Sequence, residues 1–368
     1  MDTSMKLKIC FIGLDSYSLF NPACKRAFGG AEMQLVLLAK TLAKLPDLEV
    51  HFVVEDCGQK PTEHIDGVLV HKRWHSFGLP FLRLMKRIGA DIYICRSAGA
   101  YVGKWALFAK VLRKKFIYMA AHDIDCDGTF EKRASFSDAL SYRLGLRLAD
   151  GIVAQNTDQK NLLTQRGLKK VTIIKKGLEP PAPNSLAEKR TDVLWVGRCE
   201  PWKKPELFID LAYRFPHERF VMICQPTRNQ DPFFKTISSK AQNVTNLRFF
   251  EGLAHNQVES FFQKAKIFVL TSLHEGDLPM VALEALKYAV PVLSLSVNPD
   301  DCFTRYGFGF CANGHEPSLE KHLERLLHDP QLYEQCQKAG KNYFNDFCDL
   351  TRVSRQLSQW LKQLSAND

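Results

Sequence analysis

The chain reads as a succession of short apolar runs separated by stretches of helical period. KICFIGLD (8–15), LEVHFVVED (48–56), ADIYICRS (90–97), FIYMAA from Phe116 and GIVAQ from Gly151 are apolar almost throughout. Runs of this kind predict strands covered on both faces, as in a parallel sheet. Between them the spacing predicts helices, among them a long amphipathic one from Met33 to Leu45, and VTIIKKG closes the series as a further strand. A polar, proline-rich stretch, EPPAPNSLAEKR (179–190), then reads as a linker. The pattern begins again with DVLWVG from Asp192, a helix from Pro205, FVMICQ, LRFFEGL, the helix HNQVESFFQKA, AKIFVL (265–270) and VLSLS (292–296). The tail NYFNDFCDLTRVSRQLSQWLKQL reads as one terminal amphipathic helix. Strand and helix alternate in both halves, which predicts two α/β domains in 368 residues.

The most informative stretch is 271–291, TSLHEGDLPMVALEALKYAVP. It follows the apolar run AKIFVL as a polar loop, with Pro279 suited to a first helical turn and a helix predicted from Met280 to Ala289. A loop at the carboxyl end of a parallel strand is where open α/β sheets bind ligands. The helix N-terminus favours an anion such as a diphosphate. Glu284 lies on an otherwise apolar helix, and a carboxylate can accept from both hydroxyls of a ribose diol. Glu275 on the loop could take sugar hydroxyls at the other end of such a ligand. A surface Glu paired to Lys287 is the alternative for Glu284.

Other positions carry candidate chemistry. Gly29 and Gly30 stand at the mouth of the first long helix, where glycine permits close approach of a ligand or a simple tight turn. His122 and Asp123 follow the strand from Phe116, in a segment crowded with acids. Asp123, Asp125, Asp127 and Gly128 begin like a calcium loop, but its twelfth position is Ala134 where a bidentate Glu is required. Arg198 and Lys203 lie on the loop after DVLWVG, at the same strand edge as Glu275, where fixed cations would stabilise a departing diphosphate.

Composition narrows the function classes. Eleven cysteines without a C-x-x-C pair argue against a zinc or redox motif and for a reducing compartment. The absence of a long apolar run predicts a soluble, cytoplasmic protein. The formal charge of +10 suits phosphorylated ligands or an anionic membrane leaflet, and no nucleic-acid-binding motif accompanies it. Two stretches, 71–87 (HKRWHSFGLPFLRLMKR) and 104–115 (KWALFAKVLRKK), mix basic and aromatic residues. They read either as surfaces for an anionic bilayer, on the cytoplasmic face, or as ordinary solvated helices.

The 271–291 stretch resembles the donor-site signature of the retaining, GT-B-fold glycosyltransferases of family 4, in which seven residues separate two Glu. Here eight separate Glu275 from Glu284, and the extra residue is placed in the loop near Asp277. GGAE at 29–32, His122-Asp123, the Gly-Arg of 197–198 with Lys203 five residues on, and Lys176-Gly177-Leu178-Glu179, where the family usually has Asn-Gly-Val-Asp, extend the resemblance over nearly the whole chain. The resemblance implies an α/β chain of GT-B fold, two Rossmann-like domains facing a cleft. It implies an acceptor-binding domain over 1–180, a nucleotide-sugar-binding domain over 190–345, and a helix over 346–368 crossing back to the first. It implies a retaining, metal-independent hexosyltransferase acting from a UDP- or GDP-linked sugar, with no cofactor, on a glycan or lipid-linked acceptor in polysaccharide or glycoconjugate synthesis. Arg198, Lys203, Glu275 and His122 would be catalytic. Gly29, Gly30, Gly276, Asp277, Leu278 and Glu284 would join Arg198, Lys203 and Glu275 in donor binding. A nucleotide-sugar 2-epimerase of the same architecture and a non-catalytic sugar-nucleotide sensor are the alternatives.

Overall fold

The apolar runs form two separate sheets in the computed structural model, which describes residues 6–26, 28–73, 78–182, 190–227, 232–253 and 255–366. The chain divides into two units, Met1–Gly177 with Leu350–Asp368, and Leu178–Asp349.

The first unit holds β1 (Leu7–Ile12), β2 (Leu48–Glu55), β3 (Thr62–Ile65), β4 (Val68–Arg73), β5 (Ile92–Arg96), β6 (Lys115–Met119), β7 (Gly151–Ala154) and β8 (Val171–Ile173). They lie in the order β3-β4-β2-β1-β5-β6-β7-β8. All pairs are parallel except β3 with β4. The β3–β4 hairpin turns at Asp66-Gly67, both at positive φ (51° and 82°), the backbone that an Asp-Gly type I′ turn requires. Phe11, Phe52, Ile92, Ile94 and Ile117 are fully buried in its core.

The second unit holds β9 (Asp192–Arg198), β10 (Arg219–Gln225), β11 (Leu247–Glu251), β12 (Ala265–Leu270), β13 (Val292–Ser294) and β14 (Gly309–Cys311). Every pair is parallel, in the order β11-β10-β9-β12-β13-β14. This is the 3-2-1-4-5-6 order of the Rossmann fold, and the order reverses between β9 and β12. The loops leaving the carboxyl ends of those two strands stand at the position where open α/β sheets bind ligands.

Helix boundaries differ from the sequence reading where end chemistry decides them. The first long helix is Gly30–Leu42 rather than Met33–Leu45, because Glu32 accepts from the Gly29 N–H (2.8 Å) and closes the first turn three residues earlier. The helix of the informative stretch is Met280–Lys287, with Pro279 as an extended N-cap. The expected single terminal helix is interrupted at Phe344–Cys348 by a wide turn, after which Leu350–Ala366 runs separately. Leu350, Val353, Leu357 and Leu361 form its buried stripe, which packs on the Gly30–Leu42 helix of the first unit. A Cβ at Gly151 would stand 2.6 Å from the Trp360 ring, so the small residue there seats this helix.

The stretch 71–87 does not form one surface. His71, Lys72 and Arg73 belong to β4 and are buried, residues 74–77 lie outside the described residues, and only Leu79–Ile88 is helical. Lys72 is held by Asp56 (3.3 Å) and Arg73 by Glu55. Burial pushes the His71 pKa down to about 4, so its ring is neutral.

Candidate active site

The two loops at the β9–β12 switch point are stitched together by side chains. Trp195, on β9, donates its indole N–H to Thr271 Oγ1 (2.8 Å), and Thr271 donates in turn to the Lys203 carbonyl (2.5 Å). Thr271 is fully buried, so this relay fixes the loop after β12 against the loop after β9. A backbone bond from Leu273 N–H to the Trp202 carbonyl (2.9 Å) completes the seam.

On that frame Lys203 Nζ meets Glu275 Oε1 at 2.6 Å, with both side chains only 12% exposed. Ser272 Oγ donates to the same oxygen (3.0 Å). Lys203 also lies over the Trp202 ring (4.3 Å), and Trp202 stacks on His274 with centroids 5.0 Å apart. An ion pair this dry holds its partners in place, because removing either leaves a poorly solvated charge. The structure therefore joins Lys203 to Glu275. Arg198 ends β9 on the same edge with its side chain exposed.

Glu284 lies on the Met280–Lys287 helix between buried Leu283 and Ala285. Burial pushes its pKa up to about 8, with Glu259 acting in the same sense and Lys287 opposing. Gly276, Asp277 and Leu278 are buried within the loop.

In the first unit the candidates are arranged differently. Gly29 and Gly30 are exposed at the start of the Gly30–Leu42 helix. Gly29 has ordinary extended backbone (φ −116°), and a Cβ there would approach Glu32 Oε2 to 3.0 Å, so the position needs space rather than a left-handed turn. His122 Nδ1 accepts from the Ile124 N–H (3.4 Å). The acids beside it are used locally. Asp125 is buried, accepts from the Ala121 (2.7 Å) and His122 (3.1 Å) N–H groups, and has its pKa raised by burial. Asp127 accepts from the Thr129 backbone (2.7 Å), and Asp123 from Gln159 (3.0 Å). Among the described residues no group of three His, Cys, Asp or Glu could hold a metal ion.

Sequence reasoning passed over Thr271, Trp202 and His274, which build the frame around Lys203. The signal available was their placement beside two charged candidates on loops of adjacent strands. It also passed over Lys204, which caps the Pro205–Arg214 helix at positive φ (44°) and pairs with Glu316.

Two parallel-sheet α/β units, with loops meeting at a switch point in the second, define the GT-B fold of nucleotide-sugar-dependent glycosyltransferases. The family described as Glycosyl transferases group 1 matches residues 179–343, nearly all of the second unit, and the chain as a whole resembles the GT-B family 4 enzymes. Sucrose-phosphate synthase from Thermosynechococcus elongatus superposes with a TM-score of 0.78 at 15% identity, over 99% of this chain and 100% of that one. HepE from Anabaena, solved with UDP-glucose, gives 0.73 at 15% identity over 97% and 99%. The catalytic domain of starch synthase IV from Arabidopsis thaliana, bound to ADP and acarbose, gives 0.72 at 14% identity over 98% and 100%. No curated protein matches the chain.

Proposed function

We propose that the protein is a retaining glycosyltransferase that moves a sugar from a nucleotide-diphospho-sugar to a hydroxyl of a glycan or lipid-linked acceptor. The observation that carries this reading is the Lys203–Glu275 pair, held by the Trp195–Thr271 relay at the switch point, with Arg198 on the same edge. A diphosphate bound there meets fixed positive charge as its own charge grows. A carboxylate stands one hydrogen bond away to receive sugar hydroxyls. HepE binds UDP-glucose and starch synthase IV binds ADP, which supports a nucleotide-sugar donor for this fold.

In the proposed reaction the bond from the anomeric carbon to the diphosphate oxygen breaks. The acceptor hydroxyl forms its new bond on the same face, and its proton passes to the departing diphosphate. Arg198 and Lys203 stabilise the leaving group, the largest contribution a protein makes to such a step. Glu284 takes the ribose diol and Glu275 the sugar. His122 and the Gly29-Gly30 helix start serve the sugar and the acceptor from the first unit. None of these steps calls for a metal, and UDP or GDP is the expected carrier. Glycan synthesis on the cytoplasmic side is the setting this reading favours; among the described residues no helix is long and apolar enough to cross a membrane.

The test begins with a thermal-shift screen of nucleotide-sugars, since a ligand that binds only the folded state raises its melting temperature. The stabilising donor is then incubated with candidate acceptors. Release of nucleoside diphosphate that depends on acceptor supports the transferase. Release or sugar inversion without acceptor supports the epimerase, and binding without turnover supports a sensor.

A further inference from the structure

The first unit carries an exposed apolar face on two neighbouring helices. The helices Val102–Val111 and Phe136–Leu148 lie side by side because glycine permits it. A Cβ on Gly103 would stand 2.1 Å from the Ser141 carbonyl oxygen, and one on Gly145 2.8 Å from the Gly103 nitrogen. Ser141 Oγ closes the seam by donating to the Ala100 carbonyl (2.6 Å). Toward the sheet, Trp105, Ala106, Ala109, Tyr142 and Leu146 are buried. Toward solvent stand Leu107 (45% exposed), Val111 (63%), Phe136 (86%), Leu140 (57%) and Leu144 (41%). Their i, i+4 spacing makes one apolar stripe on each helix. A solvated helix normally places charges on that face, and adjoining exposed stripes of this kind mark an interaction surface.

The charge around the stripes says what the surface meets. Residues 102–115 contain five Lys and Arg and no acid, and residues 129–148 contain four against two acids. Two of these cations, Lys110 and Lys114, pair with Asp150 and Asp91 from neighbouring segments, which leaves a net charge of about +5 on the two helices and their flanks. One of the two acids within 129–148, Glu131, is buried against Arg166, while Lys104, Arg113, Lys132, Arg133, Arg143 and Arg147 are exposed. Large apolar side chains rimmed by Lys and Arg match the boundary between headgroups and acyl chains of an anionic membrane. A second copy of this chain fits poorly, since a symmetric contact would bring two such positive faces together.

We propose that this two-helix face docks the protein on an anionic lipid bilayer. Phe136, Leu140, Leu144, Leu107 and Val111 enter the headgroup boundary, and the surrounding Lys and Arg meet the lipid charge. The proposal does not depend on the transferase reading, because the face shares no residue with the switch-point site. It differs from the sequence reading, in which residues 71–87 were half of the surface; the second helix is Phe136–Leu148 instead.

The test is flotation of the full-length protein with vesicles of phosphatidylcholine, alone or carrying about 30 mol% phosphatidylglycerol. Binding is expected only with the anionic vesicles, and it falls by about tenfold or more as salt rises well above the physiological level, where the screening length shrinks toward 3 Å. Arg143→Gln with Arg147→Gln is expected to lower partitioning by about tenfold or more. Phe136→Ser with Leu140→Ser and Leu144→Ser is expected to abolish it without changing the melting temperature, since these side chains are exposed. Phe136→Ser alone serves if the triple variant does not fold. Tyr213→Ser, at a residue 77% exposed in the second unit, keeps full binding. Equal flotation with neutral and anionic vesicles overturns the proposal, as do apolar variants that bind like the parent. A dimer in solution that Phe136→Ser dissolves also overturns it and assigns the face to a second copy.

Discussion

The carboxyl edges of the two sheets present charged loops that look alike in sequence and behave oppositely in structure. After β6 the acids Asp123, Asp125 and Asp127 are each taken up within their own turn or by a neighbouring helix. After β9 and β12 the loops reach across to one another, and Lys203 finds Glu275 from seventy-two positions away in the chain. The first arrangement is a turn that shapes backbone, tied to a neighbouring helix through Gln159. The second is a charged frame set by tertiary contacts, which can exchange partners with a charged ligand. The density of ionisable residues therefore says little about a site, whereas a pair that is nearly dry and ties two strand-end loops together says more.

The sharpest way to break this contrast is kinetic. Lys203→Ala and Arg198→Ala are each expected to lower kcat about a hundredfold, roughly 3 kcal/mol, with donor affinity far less affected. His122→Ala should cost less than either. A His122 variant slower than Lys203→Ala, measured at saturating donor, would move the chemistry to the first unit.

Within the second unit, Glu284→Gln should weaken donor-sugar and nucleoside diphosphate alike, since both carry the ribose. Glu275→Gln should weaken only the sugar-bearing donor. Each lost hydrogen bond to a charged partner is worth roughly 1.5–3 kcal/mol, which titration calorimetry resolves. A silent Glu275→Gln would favour the sensor.

A third expectation concerns pH. Because burial raises the Glu284 pKa in the folded state to about 8 from 4.5, the folded protein holds a proton that the unfolded chain has released. This contribution makes stability fall as pH rises from about 4.5 to about 8 and level off above, and Glu284→Gln should remove that slope. A ribose diol prefers the ionised carboxylate as acceptor, so nucleoside diphosphate affinity should rise by up to about tenfold per unit as pH approaches 8. Flat affinity over that range would take Glu284 out of the ribose contact.

The smallest effects should come from strained backbone, one residue in each unit. Ser97 (φ 72°) follows β5, and Lys204 (φ 44°) follows the site loop. Glycine at Ser97 should raise stability by up to about 1 kcal/mol, the left-handed penalty of about 1–2 kcal/mol less the entropy glycine adds to the unfolded chain. Lys204→Gly should gain less, since it also loses the pair with Glu316. Melting temperatures of the two variants give the comparison directly.

Sequence by itself determined the alternation of buried strands and amphipathic helices, and with it the two α/β halves. It also singled out Lys203, Glu275 and Glu284, since charges on apolar helices and strand-end loops stand out in one dimension. The Asp66-Gly67 hairpin was there to be read as well, because its turn chemistry is local. Only the tertiary structure decided where long side chains end. Lys72 and Arg73 read as surface charge, yet they belong to an interior strand and are neutralised by Asp56 and Glu55. Phe136, Leu140 and Leu144 share one face of their helix, and that face meets solvent, because the close seam at Gly103 and Gly145 sets which side of the Phe136–Leu148 helix is covered. The physical reason is the same in both cases. Periodicity fixes which residues share a face, and only the neighbouring element determines whether that face meets protein or water.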